Sequence, residues 1–210
     1  QKKGSSKSTG RQPVYYATDN LAAAVSIGTD RVWAGGGLGL NLSGNGMTIG
    51  EWDAGAVRLT HQEFGGRAEQ KDSGSSLDYH ATHVAGTLIG AGVLAEAKGM
   101  APEASLHAYD WDNNTAELAA AAAEGLLISN HSYGRVAGWR WNGSSWTWWG
   151  NANISTEEDW KFGFYDDVAR SWDQIAYNAP WHLIFKSAGN DRGNGPEDGE
   201  YPQDGPYDCI

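Results

Sequence analysis

An α/β fold on a mostly parallel sheet is what this sequence predicts, and two observations carry that expectation. Short apolar runs of strand length alternate with helical stretches at least three times along the chain. Several of the runs stop at a polar residue followed by small or turn-forming residues, as at Asp53-Ala54-Gly55 and Gly189-Asn190. Parallel strands need crossover connections, so helices are expected on both faces of the sheet. With 210 residues the chain can bury a substantial core within one domain.

Residues 1–14 are dominated by Lys, Gly, Ser and Thr, offer little to bury and read as a flexible leader to a single domain over 15–210. Leu21, Val25, Ile27 and Val32 lie scattered among alanines, consistent with a short helix. Residues 35–46 form a glycine-rich loop ending in Asn45-Gly46, a strong turn signal. No Lys-Ser/Thr follows, and the spacing fits no dinucleotide fingerprint, so the glycines serve a turn and not a phosphate cradle.

Residues 47–55 then predict a buried strand that stops at Asp53. Open α/β sheets place their chemistry at the carboxyl ends of strands, although an Asp there can simply start a turn. A polar loop containing His61 and Arg67 leads to Asp78-Tyr79-His80-Ala81-Thr82-His83-Val84-Ala85-Gly86-Thr87. Histidine suits proton transfer near neutral pH, yet an isolated pair three apart reads more readily as two ordinary histidines at a helix start.

That helix continues over 82–89, and residues 99–102 make a turn. Residues 104–111 alternate as a strand. Residues 115–124 are alanine-rich and helical, with Thr115 as the expected N-cap. Residues 125–130 are a further strand, ending in His131-Ser132-Tyr133-Gly134. Five tryptophans between 139 and 149 flank Asn142-Gly143, the pattern of a hairpin or aromatic flap that could stack on a ligand or pack on the domain surface. Phe164, Val168, Trp172, Ile175 and Ala176 are spaced for one helix face over 162–178. Residues 181–190 read as a final buried strand, and 191–210 hold no element. A domain rarely ends on such a loop after a core strand, so a further segment is expected downstream.

Composition narrows the function classes. A net charge of −11 without a basic cluster argues against a nucleic-acid partner. No apolar run approaches the roughly 18 residues of a membrane span. The one cysteine, Cys209, leaves no internal disulfide to form. A start at Gln1 without Met looks like a processed terminus, which supports export.

Asp53, His80 and Asn190 each sit where a strand or helix meets a loop, and their surroundings resemble the subtilisin-like serine proteases (subtilases). Ile49-Gly50-Glu51-Trp52-Asp53-Ala54-Gly55 is similar to that family's strand bearing the triad aspartate, with Ala54 in place of the usual Ser/Thr. His80-Ala81-Thr82-His83-Val84-Ala85-Gly86-Thr87 resembles its H-G-T-H-V-A-G-T, with Ala81 in place of glycine. Asn130-His131-Ser132-Tyr133-Gly134 resembles the N-x-S-x-G segment that pairs with bound peptide, and Ser187-Ala188-Gly189-Asn190 the A-A-G-N segment of the oxyanion site.

The resemblance implies a three-layer subtilisin-like fold and a serine endopeptidase that works through an acyl-enzyme. It implies His80 as base, Asp53 as its orienting acid and Asn190 as oxyanion donor. Ser132, Tyr133, Gly134, Ser187, Ala188 and Gly189 would line the substrate, and His83 would be a buried structural residue. The family's G-T-S-x-A-x-P nucleophile segment does not occur in these 210 residues. The implied partners are therefore a protein or peptide substrate and a serine-bearing downstream portion or companion C-terminal chain, with self-cleavage in the loop after Tyr201. A catalytically inactive, peptide-binding relative is the alternative, and a sugar- or partner-binding module built on the tryptophans is a weaker one. No cofactor is required; structural calcium is permitted by the acidic charge, but residues 92–97 lack the family's Asn-containing calcium loop and no ligands are assigned. A secreted or extracytoplasmic location is expected.

Overall fold

The computed structural model describes residues 20–73, 76–141 and 144–190. The leader, the Asn142-Gly143 turn and the loop after Asn190 lie outside the described residues. The elements run α1 (Asn20–Ile27), β1 (Thr48–Asp53), β2 (Ala68–Gln70), α2 (Tyr79–Ile89), β3 (Ser105–Asp110), α3 (Asn114–Ala123), β4 (Ile128–His131), β5 (Trp139–Trp141), β6 (Trp146–Trp148), α4 (Asp167–Asn178) and β7 (Leu183–Lys186). Strands β2-β3-β1-β4-β7 form one sheet in that order, with parallel pairing throughout. The tryptophan-rich segment is a separate antiparallel hairpin, β5–β6.

The period of two along β1 divides the core. Ile49 points to one face, where with Leu106 and Ala108 of β3 it packs against Ala81, Ala85 and Ile89 of α2. Those helix positions are spaced i, i+4, i+8, and the two alanines let α2 lie close to the sheet. Trp52 points the other way and packs with Leu118 and Ala121 of α3, Leu126, and Ile175 of α4. Gly50 makes room for that indole, because a Cβ there would lie 2.7 Å from Trp52 and 2.6 Å from Leu126. The expected three layers, with helices on both faces, are therefore present.

Several local expectations differ. The loop before α2 contains a short strand, β2, whose Ala-Glu-Gln sequence carries no apolar alternation. Helix α3 begins at Asn114, one residue before Thr115; its N-cap is Asn113, in the left-handed region at φ 59° with no side-chain cap. Helix α4 starts late because Asp166 caps it, accepting from the N–H groups of Val168 and Ala169, and this leaves Phe164 outside the helix and exposed. Strand β7 is not buried: it is an edge of the described sheet, and Leu183 and Phe185 are exposed because α2 lies over β1 and β3.

Candidate active site

Asp53 is the last residue of β1 and is 1% exposed. Its Oδ1 accepts from the Ala54 N–H at 2.7 Å and contacts His80 Nδ1 at 2.6 Å. His80 reaches it from the first turn of α2, whose start is set by Asp78: one carboxylate oxygen accepts from the N–H groups of His80 (2.7 Å) and Ala81 (3.0 Å). The chain leaving Asp53 is tied to the chain entering α2, since Ala56 donates to the Ser76 carbonyl and Asp78 donates to the Ala56 carbonyl, both at 2.9 Å. Gly55 permits this approach; a Cβ there would lie 2.7 Å from the Ser76 oxygen.

The geometry has a direct chemical consequence. A carboxylate accepts, so Nδ1 carries the ring proton and Nε2 keeps its lone pair. The imidazole is partly exposed while its acid partner is buried. A base on a partly exposed ring, its tautomer held by a buried carboxylate, is thereby assembled by two elements far apart in sequence.

Beside Asp53, on the same face of β1, stands Glu51, fully buried. Among the described residues its two carboxyl oxygens and Asp53 Oδ2 have no hydrogen-bond partner. Burial first, and the charge of Asp53 second, push the Glu51 carboxyl well above its ordinary range.

The 130–134 segment rests on a buried hydrogen-bonded chain that sequence reasoning missed. His182 Nδ1 donates to the Leu126 carbonyl (2.6 Å), which fixes Nε2 as acceptor for the Ser129 hydroxyl (2.8 Å). Ser129 Oγ then accepts from His131 Nε2 (3.0 Å), and His131 Nδ1 accepts from the Tyr133 hydroxyl (3.1 Å). Asn114 closes the series by donating to that hydroxyl at 2.8 Å. The Leu126 carbonyl, which can only accept, thereby sets the direction of every hydrogen bond in the series. Burial, reinforced by Lys186 and His182, pushes His131 down to about 3, and burial pushes the Tyr133 hydroxyl up to about 12. Trp52 stacks on His131 (centroids 5.1 Å), and the Lys186 ammonium lies 4.5 Å from the Tyr133 ring centroid.

Ser187 lies alongside this segment: its N–H donates to the His131 carbonyl at 3.1 Å and its hydroxyl to the Tyr133 carbonyl at 3.4 Å. Ser132, Tyr133 and Ser187 are thus brought together, with Gly134 exposed at the segment's end. Ala188 and Gly189 follow, the latter at φ 101°, where a side chain would be strained. Asn190 is exposed, and among the described residues no hydrogen bond joins it to the Asp53–His80 pair. His83, expected in the core, is exposed. The buried stripe of α2 is Ala81, Ala85 and Ile89, and position 83 falls on the opposite side of the helix.

At residues 92–97 the donor set is the wrong kind for calcium. The N–H groups of Gly92, Val93 and Leu94 converge on the Glu63 carboxylate at 2.7, 3.0 and 2.8 Å, which is a cradle for an anion. Of the missed residues, Glu51 had a signal, since alternation along 48–53 puts it on the face of Asp53. His182 had none.

No curated protein matches this chain. Among solved structures it is similar to a cold-adapted subtilisin-like serine proteinase, with 21% identity and a TM-score of 0.47 over 72% of this chain and 50% of that one. It is also similar to the prenylagaramide maturation protease PagA, with 18% identity and a TM-score of 0.48 over 69% of this chain and 46% of that one. The chain spans about half the length of these structures. The model of the subtilase family matches residues 47–207, which takes in Asp53, His80, the 130–134 segment and Asn190, and on that match the chain belongs to the subtilase family.

Proposed function

We propose that this chain is the larger, N-terminal part of the catalytic domain of a secreted serine endopeptidase. The observation that carries the reading is the 2.6 Å contact between His80 Nδ1 and Asp53 Oδ1, which leaves Nε2 free to accept a proton. The nucleophilic serine is brought by a downstream portion of the same precursor or by a second chain. His80 Nε2 removes the hydroxyl proton as the serine oxygen attacks the peptide carbonyl. Asp53 stabilises the resulting imidazolium without taking its proton. Asn190 donates to the tetrahedral oxyanion, a contribution of about 3–4 kcal/mol to barrier lowering. The imidazolium then protonates the departing amine, and water attacks the acyl-enzyme with His80 again as base.

Substrate binds extended along Ser132, Tyr133 and Gly134, which also wall its first specificity pocket, and Ser187, Ala188 and Gly189 line the substrate beside them. None of these steps calls for a cofactor. The loop after Tyr201 is the site of self-cleavage that would separate the two portions.

The test starts with the protein purified as expressed from its full precursor. Intact mass and N-terminal sequencing report a companion chain, and a fluorophosphonate probe labels its serine. Expected are labelling and peptide hydrolysis, both abolished in His80→Ala while peptide binding persists. Turnover that survives His80→Ala refutes the assignment of the base. A folded, unblocked complex that binds peptide but resists the probe shows instead a non-cleaving peptide-binding relative.

A further inference from the structure

The geometry points to Glu51 as a positioning residue: its carboxyl, held protonated, donates a hydrogen bond to Asp53 Oδ2 and so fixes the acid that orients His80. Glu51 and Asp53 stand two apart on β1 with side chains on the same face, both essentially without solvent exposure. Residues so spaced on a strand have Cα atoms about 6.6 Å apart, a gap the longer glutamate side chain can close. Asp53 Oδ1 is already occupied by the Ala54 N–H and the His80 ring, so Oδ2 is the acceptor left over.

An ionised Glu51 would have no donor of its own. Its cross-strand neighbours on this face are Ala108 of β3 and Asn130 of β4. Alanine offers nothing, and the Asn130 amide donates to Ser132 Oγ at 2.9 Å. Above lies the apolar stripe of Ala81, Ala85 and Ile89 on α2. The titratable groups nearby are Asp53 itself, His80 and the capping Asp78 on α2, and Asp110 of β3 across from Asp53. Three of these four are acids, so the surroundings offer an anion repulsion in addition to desolvation. A single proton kept on Glu51 resolves both shortages, giving Oδ2 a donor and the glutamate a neutral form. The Asp53 carboxylate then has both oxygens engaged, and it cannot rotate away from Nδ1 when the imidazole becomes charged.

The kinetic arm of the test rests on the protease reading, and the spectroscopic arm does not. Two variants of similar volume separate positioning from packing. Glu51→Gln keeps a neutral donor; Glu51→Leu keeps the buried volume and removes the donor. In the serine-bearing protease, Glu51→Leu is expected to lose about tenfold in kcat with KM unchanged, and Glu51→Gln to stay within about threefold of the parent, the scale of one hydrogen bond to a charged group. Thermal unfolding checks that Glu51→Leu keeps the fold, since that variant retains the buried volume while Asp53 Oδ2 loses its donor. In the chain itself, the NMR resonance of the His80 Nδ1–H bridging to Asp53 is expected to persist in Glu51→Gln and to broaden or vanish in Glu51→Leu.

Full activity and an intact resonance in Glu51→Leu overturn the proposal, as does a Gln variant that falls as far as the Leu variant. A carbon-13 titration placing the Glu51 carboxyl at the ordinary 4.5 overturns it too. If the parent shows no turnover at all, the protease reading fails and the resonance and titration decide this proposal alone.

Discussion

Replacing Ser129 with Ala removes the middle link of the buried chain beneath the 130–134 segment. Its hydroxyl holds two contacts, to His182 Nε2 at 2.8 Å and from His131 Nε2 at 3.0 Å. Deleting it leaves one acceptor and one donor unpaired among side chains that are 0% (Ser129, His131) and 8% (His182) exposed. Each such orphan costs about 1–3 kcal/mol, so the pair costs roughly 2–6 kcal/mol. The space vacated by one oxygen is too small for a replacement water. Against a total stability of about 5–15 kcal/mol this is a large loss, and it lowers Tm by roughly 4–24 °C for a chain of this size. Urea unfolding followed by tryptophan fluorescence measures it directly. A double-mutant cycle with His131→Phe sharpens the test: that background has already lost the orphaned donor, so Ser129→Ala should cost about half as much there. A single-mutant cost below about 0.5 kcal/mol, or fully additive costs in the cycle, refutes the ordered chain.

The same chain predicts acid lability. His131 sits at about 3 in the folded protein against 6.5 as its ordinary value, so between those limits the unfolded chain binds a proton that the folded chain refuses. Its stability contribution is complete above pH 6.5 and falls by about 1.4 kcal/mol per unit as pH drops through that window; His131→Phe should flatten the slope by one proton in pH-dependent urea melts. Glu63 offers a second check. Burial alone would raise its carboxyl, but the Leu94, Val93 and Gly92 N–H groups hold it below the ordinary 4.5, so its contribution is present above that value and is lost as pH falls through the folded one. Glu63→Gln should cost about 2–4 kcal/mol near neutral pH and speed hydrogen exchange at the Gly92, Val93 and Leu94 amides. Unchanged exchange there would show that the carboxylate does not hold the loop.

Much of this architecture was legible in one dimension because it depends on local pattern. The strand 48–53, the small-residue helix behind His80 and the apolar run before Ser132 each carry their period in the residues themselves, and alternation of such segments implies the parallel sheet. Motifs named Asp53, His80 and Asn190 before any distance was known. Errors fell where tertiary context overrides local signals. Thr115 looked like a cap, but Asn113 turns the chain two residues earlier; β7 looked buried, but the described sheet ends there; His83 looked like core, but α2 rotates its alanines inward instead.

Two features of the site depended on contacts between distant segments. That Nδ1 of His80 faces the Asp53 carboxylate follows from Asp78 capping α2 and from Gly55 letting the chain pass close to Ser76. That His131, Ser129 and His182 form one proton-ordered series follows from β4 and the approach to β7 lying side by side, although Ser129 and His182 are 53 positions apart in the chain. Residue types and their order limit which chemistry is available to this chain. Which nitrogen carries the proton, and which carboxyl must keep one, is set by burial and by partners the fold brings from elsewhere.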